Sequence, residues 1–156
     1  MPPASELVAA PWIEAATARD AAALARLSAE ALPEAWSEHG FAQEIEAPIA
    51  RVWVARGGNG EPIGYLVAHA LAGEIQLLSL AVDSRYRRRG IGGMLLEHAL
   101  AREPGAAVAH LEVRSNDAGA QAFYARQGFR VVGLRPGFYP GGVAAITMSR
   151  VSRMPV

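Results

Sequence analysis

The chain contains no cysteine. This absence excludes disulfide bonds, thiolate metal sites and a covalent cysteine intermediate. Excess charge is also lacking, because 15 basic residues balance 15 acidic ones, which argues against nucleic acid or an anionic membrane as a partner. No apolar run approaches the length of a membrane span, and the first twelve residues lack the features of a secretory signal. We therefore expect a cytoplasmic protein whose basic sites are local.

Metal-binding patterns are absent as well. The four histidines show no ligand spacing such as His-Glu-x-x-His, so we predict no metal site: they are His39, His69, His98 and His110. Hydrophobic residues make up 51% of the 156 residues, which is enough for a buried core. No internal repeat or linker divides the chain. We predict a single domain over residues 1–156, with residues 1–10 flexible.

Hydrophobic patterning and turn residues divide the chain into seven strands and four helices. Strands are predicted at residues 12–15, 51–56, 62–71, 75–82, 107–114, 130–134 and 143–149. The first helix follows a capping-box pattern at residues 17–20 and runs to Glu30; three more cover residues 38–47, 91–102 and 118–127. The order β-α-α-β-β-β-α-β-α-β-β indicates an α/β fold around a mixed sheet.

A basic segment links a buried strand to the third helix and reads Arg87-Arg88-Arg89-Gly90-Ile91-Gly92. Backbone amides at a helix N-terminus lack partners within the helix and can bind an anion, and glycine lets the anion approach closely. Arginines there have the wrong sign for the helix dipole, so a polyanion would relieve their repulsion. The segment matches neither a Walker loop nor a dinucleotide fingerprint. We predict a pyrophosphate site, with a solvated basic turn as the alternative.

A carboxylate interrupts the apolar strand at residues 107–114. Glu112 shares one face of that strand with His110 and Arg114, whereas the residues between them are apolar and lie on the opposite face. Such a carboxylate serves either as a catalytic base or as part of a structural ion pair. The residues alone leave both readings open.

These motifs together resemble the GNAT superfamily of N-acetyltransferases. The resemblance is carried by the Arg-x-x-Gly-x-Gly pattern in the basic segment, by the strand and helix at residues 77–100, and by the Leu-Glu-Val-Arg strand and Phe-Tyr-x-x-x-Gly-Phe helix end at residues 111–133. Trp36-Ser37, the segment from Arg135 to Tyr139 and the final Ala-Ile-Thr-Met strand are similar to RimI-type ribosomal-protein alanine N-acetyltransferases. About two-thirds of the chain takes part.

The resemblance implies the GNAT fold and acetyl-CoA as co-substrate. It assigns backbone contacts with the pantetheine arm and thioester to Leu80, Ala81 and Val82. It places the pyrophosphate against Arg87, Arg88, Arg89, Gly90, Ile91, Gly92 and Gly93. The family asparagine that also contacts the cofactor is replaced by Asp117, with Asn116 one position earlier, so either residue is a candidate for that contact. An N-cap of the following helix is the alternative role of Asp117.

The same resemblance assigns the chemistry. Glu112 would act through water as the general base, and Tyr124 would protonate the departing thiolate. With no cysteine to carry the acetyl group, we expect direct attack by the amine. Trp36, Ser37 and Tyr139 would flank the acceptor groove. The chain departs from the RimI-like pattern at Ala144-Ala145, where an acidic pair is usual.

Three functions remain open on these grounds. The first is acetylation of a protein's N-terminal α-amine, with a ribosomal protein as the acceptor that the resemblance implies. The second is acetylation of a small amine such as a polyamine or an antibiotic on the same fold. The third is a non-enzymatic acyl-CoA sensor, which would not need Glu112 and Tyr124. We expect a monomer or a weak dimer.

Overall fold

The computed structural model describes residues 10–152. The predicted flexible segment at residues 1–10 lies outside this range except for Ala10, which is exposed. Within the described range, none of the helices is long and apolar enough to cross a membrane. All seven predicted strands and all four predicted helices are present, in the predicted order.

One mixed sheet contains all seven strands: β1 (Trp12–Ala15), β2 (Ala50–Arg56), β3 (Pro62–Leu71), β4 (Glu74–Val82), β5 (Val108–Arg114), β6 (Arg130–Arg135) and β7 (Ala145–Val151). Their order across the sheet is β1-β2-β3-β4-β5-β7-β6. Every neighbouring pair is antiparallel except β4 and β5, which are parallel. The parallel pair joins the two halves of the sheet.

Helices cover the sheet on both faces: α1 (Ala21–Ala31), α2 (Glu38–Glu46), α3 (Ile91–Ala101) and α4 (Ala118–Arg126). On one face, Leu24 of α1 and Phe41 of α2 pack against Val54 and Tyr65 of the central strands. On the other face, α3 covers a larger core that extends to β5 and β7. On the first face, the core under α1 and α2 is formed with β2, β3 and β4. Among the described residues, it does not extend to β5, β7 or β6.

The parallel strands separate after a short contact. They pair only at Glu74, Ile75 and Gln76 of β4. Leu78 follows as a bulge with no partner in the register between β3 and β4. A bulge bends its strand and increases the local twist, which accounts for the loss of pairing with β5 at this point. The sheet is therefore open between β4 and β5 from Leu77 onward.

Most predicted boundaries agree with the structure to within one residue, but the last strand begins two residues late. The amide of Gly142 donates a hydrogen bond to the Tyr139 carbonyl (N to O, 3.2 Å), which closes a 3₁₀ turn at Pro140–Gly142, and the Tyr139 amide donates one to the Val143 carbonyl at 3.0 Å. Val143 therefore belongs to the loop. A second 3₁₀ turn, Ser84–Tyr86, was not predicted and lies between β4 and the basic segment.

The first strand and the first helix are tied to β2 by a buried ion pair. Asp20 is buried and accepts two hydrogen bonds from the Arg56 guanidinium, each 3.0 Å long, while its Oδ2 accepts another from the Thr17 amide at 2.9 Å. Arg56 also pairs with Glu14 of β1. Burial alone would raise the pKa of Asp20, but the hydrogen bonds from Arg56 and Thr17 outweigh it and keep that pKa below its usual value.

We expect Asp20→Asn to lower the free energy of unfolding by about 2 kcal/mol at pH 7, since Arg56 loses its main partner but keeps Glu14. The folded-state pKa of Asp20 is lower than the unfolded value of about 3.9, so its stabilisation is present above that pH and is lost below it. Urea unfolding at pH 7 and at pH 3 measures both effects. The matched control is Glu97→Gln, which removes an exposed pair with Arg150 and should cost under about 0.5 kcal/mol. Equal losses in the two variants would contradict the assignment.

Candidate active site

The basic segment forms a tight turn before α3. Arg88 and Gly90 both have left-handed backbone conformations, with φ angles of 64° and 77°. Left-handed residues in such turns orient successive backbone amides toward one side, a geometry that binds anions. Gly90 is the N-cap of α3, so the first free amides of the helix lie at the same place. The predicted phosphate-binding segment therefore has the backbone geometry of an anion site.

The arginines of this segment are not equivalent. Arg85 pairs with the buried Asp83, with an Nη2 to Oδ2 distance of 2.9 Å, so it holds the turn in place. Arg89 lies over the ring of Tyr86, 5.3 Å from its centroid. Arg87 and Arg88 are exposed. The structure thus leaves Arg87, Arg88 and Arg89 at the surface of the turn, where an incoming polyanion can reach them.

The two glycines at the start of α3 face α4. A Cβ on Gly92 would lie 3.2 Å from the Phe123 ring, and one on Gly93 would lie 3.3 Å from the Gln127 amide. A Cβ at Gly92 would crowd the Phe123 ring, whereas the flexible Gln127 side chain could move away from a Cβ at Gly93. The sequence predicted both glycines as pyrophosphate contacts; their close approach to α4 is a packing reason for glycine that the sequence did not reveal.

The strand end that precedes the turn lines the opening in the sheet. Leu80 and Val82 are partly buried and Ala81 is buried. Each pairs with β3 on one side but with no strand on the β5 side among residues 10–152. An unpaired strand edge offers amides and carbonyls to an extended ligand, in the manner of an added strand. This geometry suits the predicted backbone contacts with a pantetheine arm.

Glu112 lies on the other side of the same opening. It is two residues beyond His110, the last β5 residue that pairs with β4. Its side chain is 18% exposed, and its Oε1 is 3.7 Å from Nη1 of Arg135. Its Oε2 accepts a hydrogen bond of 2.8 Å from Nε2 of Gln76. The carboxylate is therefore held at the apex of the opening and remains partly accessible.

Tyr124 of α4 packs against the larger core. Its ring packs edge-on against Phe123 and Phe129, with centroid distances of 5.1 and 5.7 Å. Burial raises the pKa of its phenol well above the ordinary value, and the negative charge of Asp117 adds to the effect. The hydroxyl therefore carries its proton throughout the physiological pH range, as a general acid must.

The two candidates for the family asparagine differ in the structure. Asp117 is the N-cap of α4, and its Oδ1 accepts a hydrogen bond of 2.9 Å from the Ala120 amide. This confirms the capping alternative for Asp117 and engages one of its two oxygens. Asn116 is exposed in the turn before it.

A bridge of side chains crosses the predicted acceptor region. Arg114, at the end of β5, pairs with Glu34 in the loop between α1 and α2. Its guanidinium also lies 4.9 Å from the ring centroid of Tyr139, in the loop between β6 and β7. One arginine therefore connects both loops, and it is two residues from Glu112.

Trp36 and Ser37 occupy the first of these loops. The Trp36 ring packs against Phe41 at 5.5 Å, and its amide donates a hydrogen bond of 2.9 Å to the buried Ser28 hydroxyl. Ser37 is the N-cap of α2, and its hydroxyl accepts a hydrogen bond of 3.0 Å from the Gly40 amide. Both residues thus also have a local structural role.

Residue patterns alone missed Gln76 and the bridging role of Arg114. Gln76 is a lone amide in an apolar strand, and nothing in its spacing relates it to Glu112. The only available signal was its polarity at a position where its neighbours are buried. No group of three metal-ligating side chains occurs within residues 10–152.

The geometry combines an anion-binding turn, an open strand edge and a carboxylate at one opening of a mixed sheet. The family model described as the Acetyltransferase (GNAT) family matches residues 21–129. The chain belongs to the GNAT family. It is an N-acetyltransferase that takes its acetyl group from acetyl-CoA.

Relatives of this GNAT enzyme include two that act on α-amines according to their names. N-alpha-acetyltransferase RimI of Mycobacterium tuberculosis is 35% identical over 150 residues, which cover 92% of this chain and 94% of that protein. The ribosomal protein bS18 alanine N-acetyltransferase of Escherichia coli is 33% identical over 107 residues, 67% of this chain and 71% of that protein. Its crystal structure superposes with a TM-score of 0.85 at 29% identity, covering 94% and 97% of the two chains.

A third relative of the GNAT enzyme has a different printed acceptor. The peptidyl-lysine N-acetyltransferase YjaB of Salmonella typhimurium is 40% identical over 88 residues. This match covers 55% of this chain and 54% of that protein. The family and the fold are thus shared by enzymes that are named for α-amine and for lysine acceptors.

We expect acetyl-CoA to raise the melting temperature by several degrees at about 100 times its Kd, a stabilisation of about 2.7 kcal/mol. High salt should weaken binding because the phosphate contacts are ionic. Arg88→Ala should weaken the affinity roughly tenfold, since it removes a charge from the turn. Arg19→Ala, at an exposed arginine beside α1, serves as the control. Calorimetry that detects no acetyl-CoA binding at low salt would contradict the site.

Proposed function

We propose that this enzyme acetylates the N-terminal α-amine of a protein. The observation that carries the proposal is the place of Glu112, a partly accessible carboxylate at the apex of the sheet opening and two residues from the arginine that joins both acceptor loops. Two relatives named for α-amine acetylation support it, and one of them matches nearly the whole chain.

The described residues fit acetyl-CoA. The left-handed turn at Arg88 and Gly90 supplies amides and charge for the pyrophosphate, and the unpaired edge at Leu80–Val82 supplies hydrogen bonds for the pantetheine arm. When bound, the thioester supplies an activated acetyl group. The amide of Val82, at the end of that edge, is our candidate donor to the thioester oxygen.

Glu112 would accept a proton from the acceptor amine through a water molecule. An ammonium ion cannot attack, so the amine must lose its proton at or before the reaction. A peptide α-amine has a reference pKa of about 8, against about 10.4 for lysine. A carboxylate is a weak base, and it therefore suits the α-amine better than the lysine ε-amine.

Tyr124 would return a proton to the departing thiolate. Burial keeps its phenol protonated, and Asp117 reinforces this. No hydrogen-bond partner holds its hydroxyl among the described residues, so the proton is free to be donated to a ligand in the opening. Phe123 and Gln127, on either side of Tyr124 and the end of α4, contact the two glycines at the start of α3. The position of Tyr124 is therefore linked to that of the basic segment, which directly precedes α3.

Acidic side chains near the groove would favour a polyamine if they were free. Glu34 is paired with Arg114, and Glu44 is paired with His69 at 2.8 Å. Only Glu38 of these three carboxylates has no ion pair among residues 10–152. A polycation would need several free carboxylates, so this arrangement supports an extended peptide end between Trp36 and Tyr139 rather than a small polyamine.

The second candidate is acetylation of a lysine side chain, and the YjaB relative is the observation that favours it. That match covers only about half of each chain. A ribosomal protein is the acceptor class that the Escherichia coli relative's name suggests, and such an acceptor would place the reaction in the cytoplasm.

We expect Glu112→Gln to lower kcat between severalfold and about a thousandfold near neutral pH, with little change in acetyl-CoA affinity. The loss should shrink at high pH, where the amine loses its proton without help. Steady-state kinetics between pH 6 and pH 9 measure this. Tyr124→Phe provides the contrast: it should lower kcat without removing the dependence on a base. If kcat of Glu112→Gln depends on pH in parallel with kcat of the wild type, Glu112 is not the base and its role is structural.

Competing acceptors test the proposed function directly. A peptide with a free N-terminal alanine should be acetylated faster than free lysine or spermidine, because its α-amine is deprotonated at lower pH. Mass spectrometry of a mixture locates the acetyl groups. The enzyme contains no lysine, so any ε-acetyl signal comes from the added acceptors. Acetyl groups found mainly on spermidine or on lysine side chains, with the peptide N-termini untouched, would overturn the α-amine proposal and leave the acetyltransferase assignment intact.

A further inference from the structure

Gln76 stands where the two halves of the sheet separate. It is the last β4 residue that pairs with β5, where it lies opposite His110. The bulge at Leu78 comes two residues later. The Gln76 amide therefore reaches across the narrow end of the opening. Two residues farther along β5, on the same face, is Glu112, with which it forms the hydrogen bond of 2.8 Å.

The direction of this hydrogen bond is set by charge. An ionised carboxylate only accepts hydrogen bonds, so it requires the NH₂ group of the glutamine amide rather than its oxygen. The structure has Nε2 toward Oε2. A hydrogen bond to the charged form stabilises that form, and it also restricts rotation of the carboxylate. Oε1 remains on the side of Arg135 and the acceptor loops.

Other charged and titratable groups surround Glu112 from each neighbouring element. His110 and Arg114 flank it on β5, and Arg135 faces it from β6. Tyr139 lies close enough in the β6–β7 loop for the Glu112 charge to raise its pKa, although burial is the larger cause. Among all these, Gln76 is the neutral donor, and it makes the shortest contact with the carboxylate.

We infer that Gln76 is a positioning residue, which fixes the orientation of the Glu112 carboxylate and holds Oε1 toward the acceptor amine. This inference rests on the proposed role of Glu112 as the base. A neutral amide donor suits the task because it fixes the carboxylate through one hydrogen bond without adding a charge beside it. Gln76 has no contact with the reacting atoms in this role.

A comparison of kcat with KM tests the inference. In Gln76→Leu we expect kcat at saturating acceptor to fall roughly three- to tenfold at pH 7, because the carboxylate is no longer held toward the amine. The KM for acetyl-CoA should not change.

Two further variants separate positioning from folding. Gln76→Glu removes the donated hydrogen bond and places a second carboxylate against Glu112, so kcat should fall farther than in Gln76→Leu. Gln76→Asn keeps the polarity but is too short to reach, so it should behave like Gln76→Leu. Ser149→Ala, which removes a hydrogen bond to His110 on the same face, is the control and should leave kcat unchanged.

A double-mutant comparison completes the test. In a Glu112→Gln background, Gln76→Leu should cost less than about twofold, because the group it positions is gone. An additive loss in that background would overturn the inference, as would an unchanged kcat in both Gln76→Leu and Gln76→Glu. If Glu112→Gln itself leaves the pH profile unchanged, both the inference and the proposed base are wrong; if only the Gln76 variants fail, the base remains.

Discussion

The separation of β4 from β5 is the constraint on which the site depends. A parallel pair that stayed in contact would satisfy the backbone of Leu80–Val82 and leave no room for an extended ligand. The bulge at Leu78 ends the contact after three residue pairs. One side of the opening then presents strand backbone that pairs with no strand there among residues 10–152, and the other presents Glu112. The proposed cofactor binding and the proposed proton transfer would thus depend on the same local irregularity in one strand.

Helix packing links the position of the basic segment before α3 to that of Tyr124. Gly92 and Gly93 allow α4 to approach α3 within van der Waals contact, and α4 carries Tyr124. The N-cap of the same α3 is Gly90, which has a left-handed conformation. A change in the spacing of these helices would therefore displace the anion-binding turn and the phenol together. This is a reason for glycine in the segment that is independent of any direct contact with phosphate.

The sequence predicted the elements well because their ends carry strong local signals. Glycines and prolines bound the strands, and Asp117 and Ser37 cap helices. The opening of the sheet was not predicted, because it depends on pairing between segments more than thirty residues apart and on one bulge. For the same reason the partner of Glu112 was missed: Gln76 is adjacent to it only across the parallel strands. The roles of the predicted site residues remain predictions.

The contact of Arg114 with both Glu34 and Tyr139 has a consequence for how this enzyme can change. The guanidinium ties each loop to the strand that carries Glu112. A substitution that displaces one loop would therefore shift Arg114 and, through it, the contact with the other loop. Changes in the two loops should not be independent of each other.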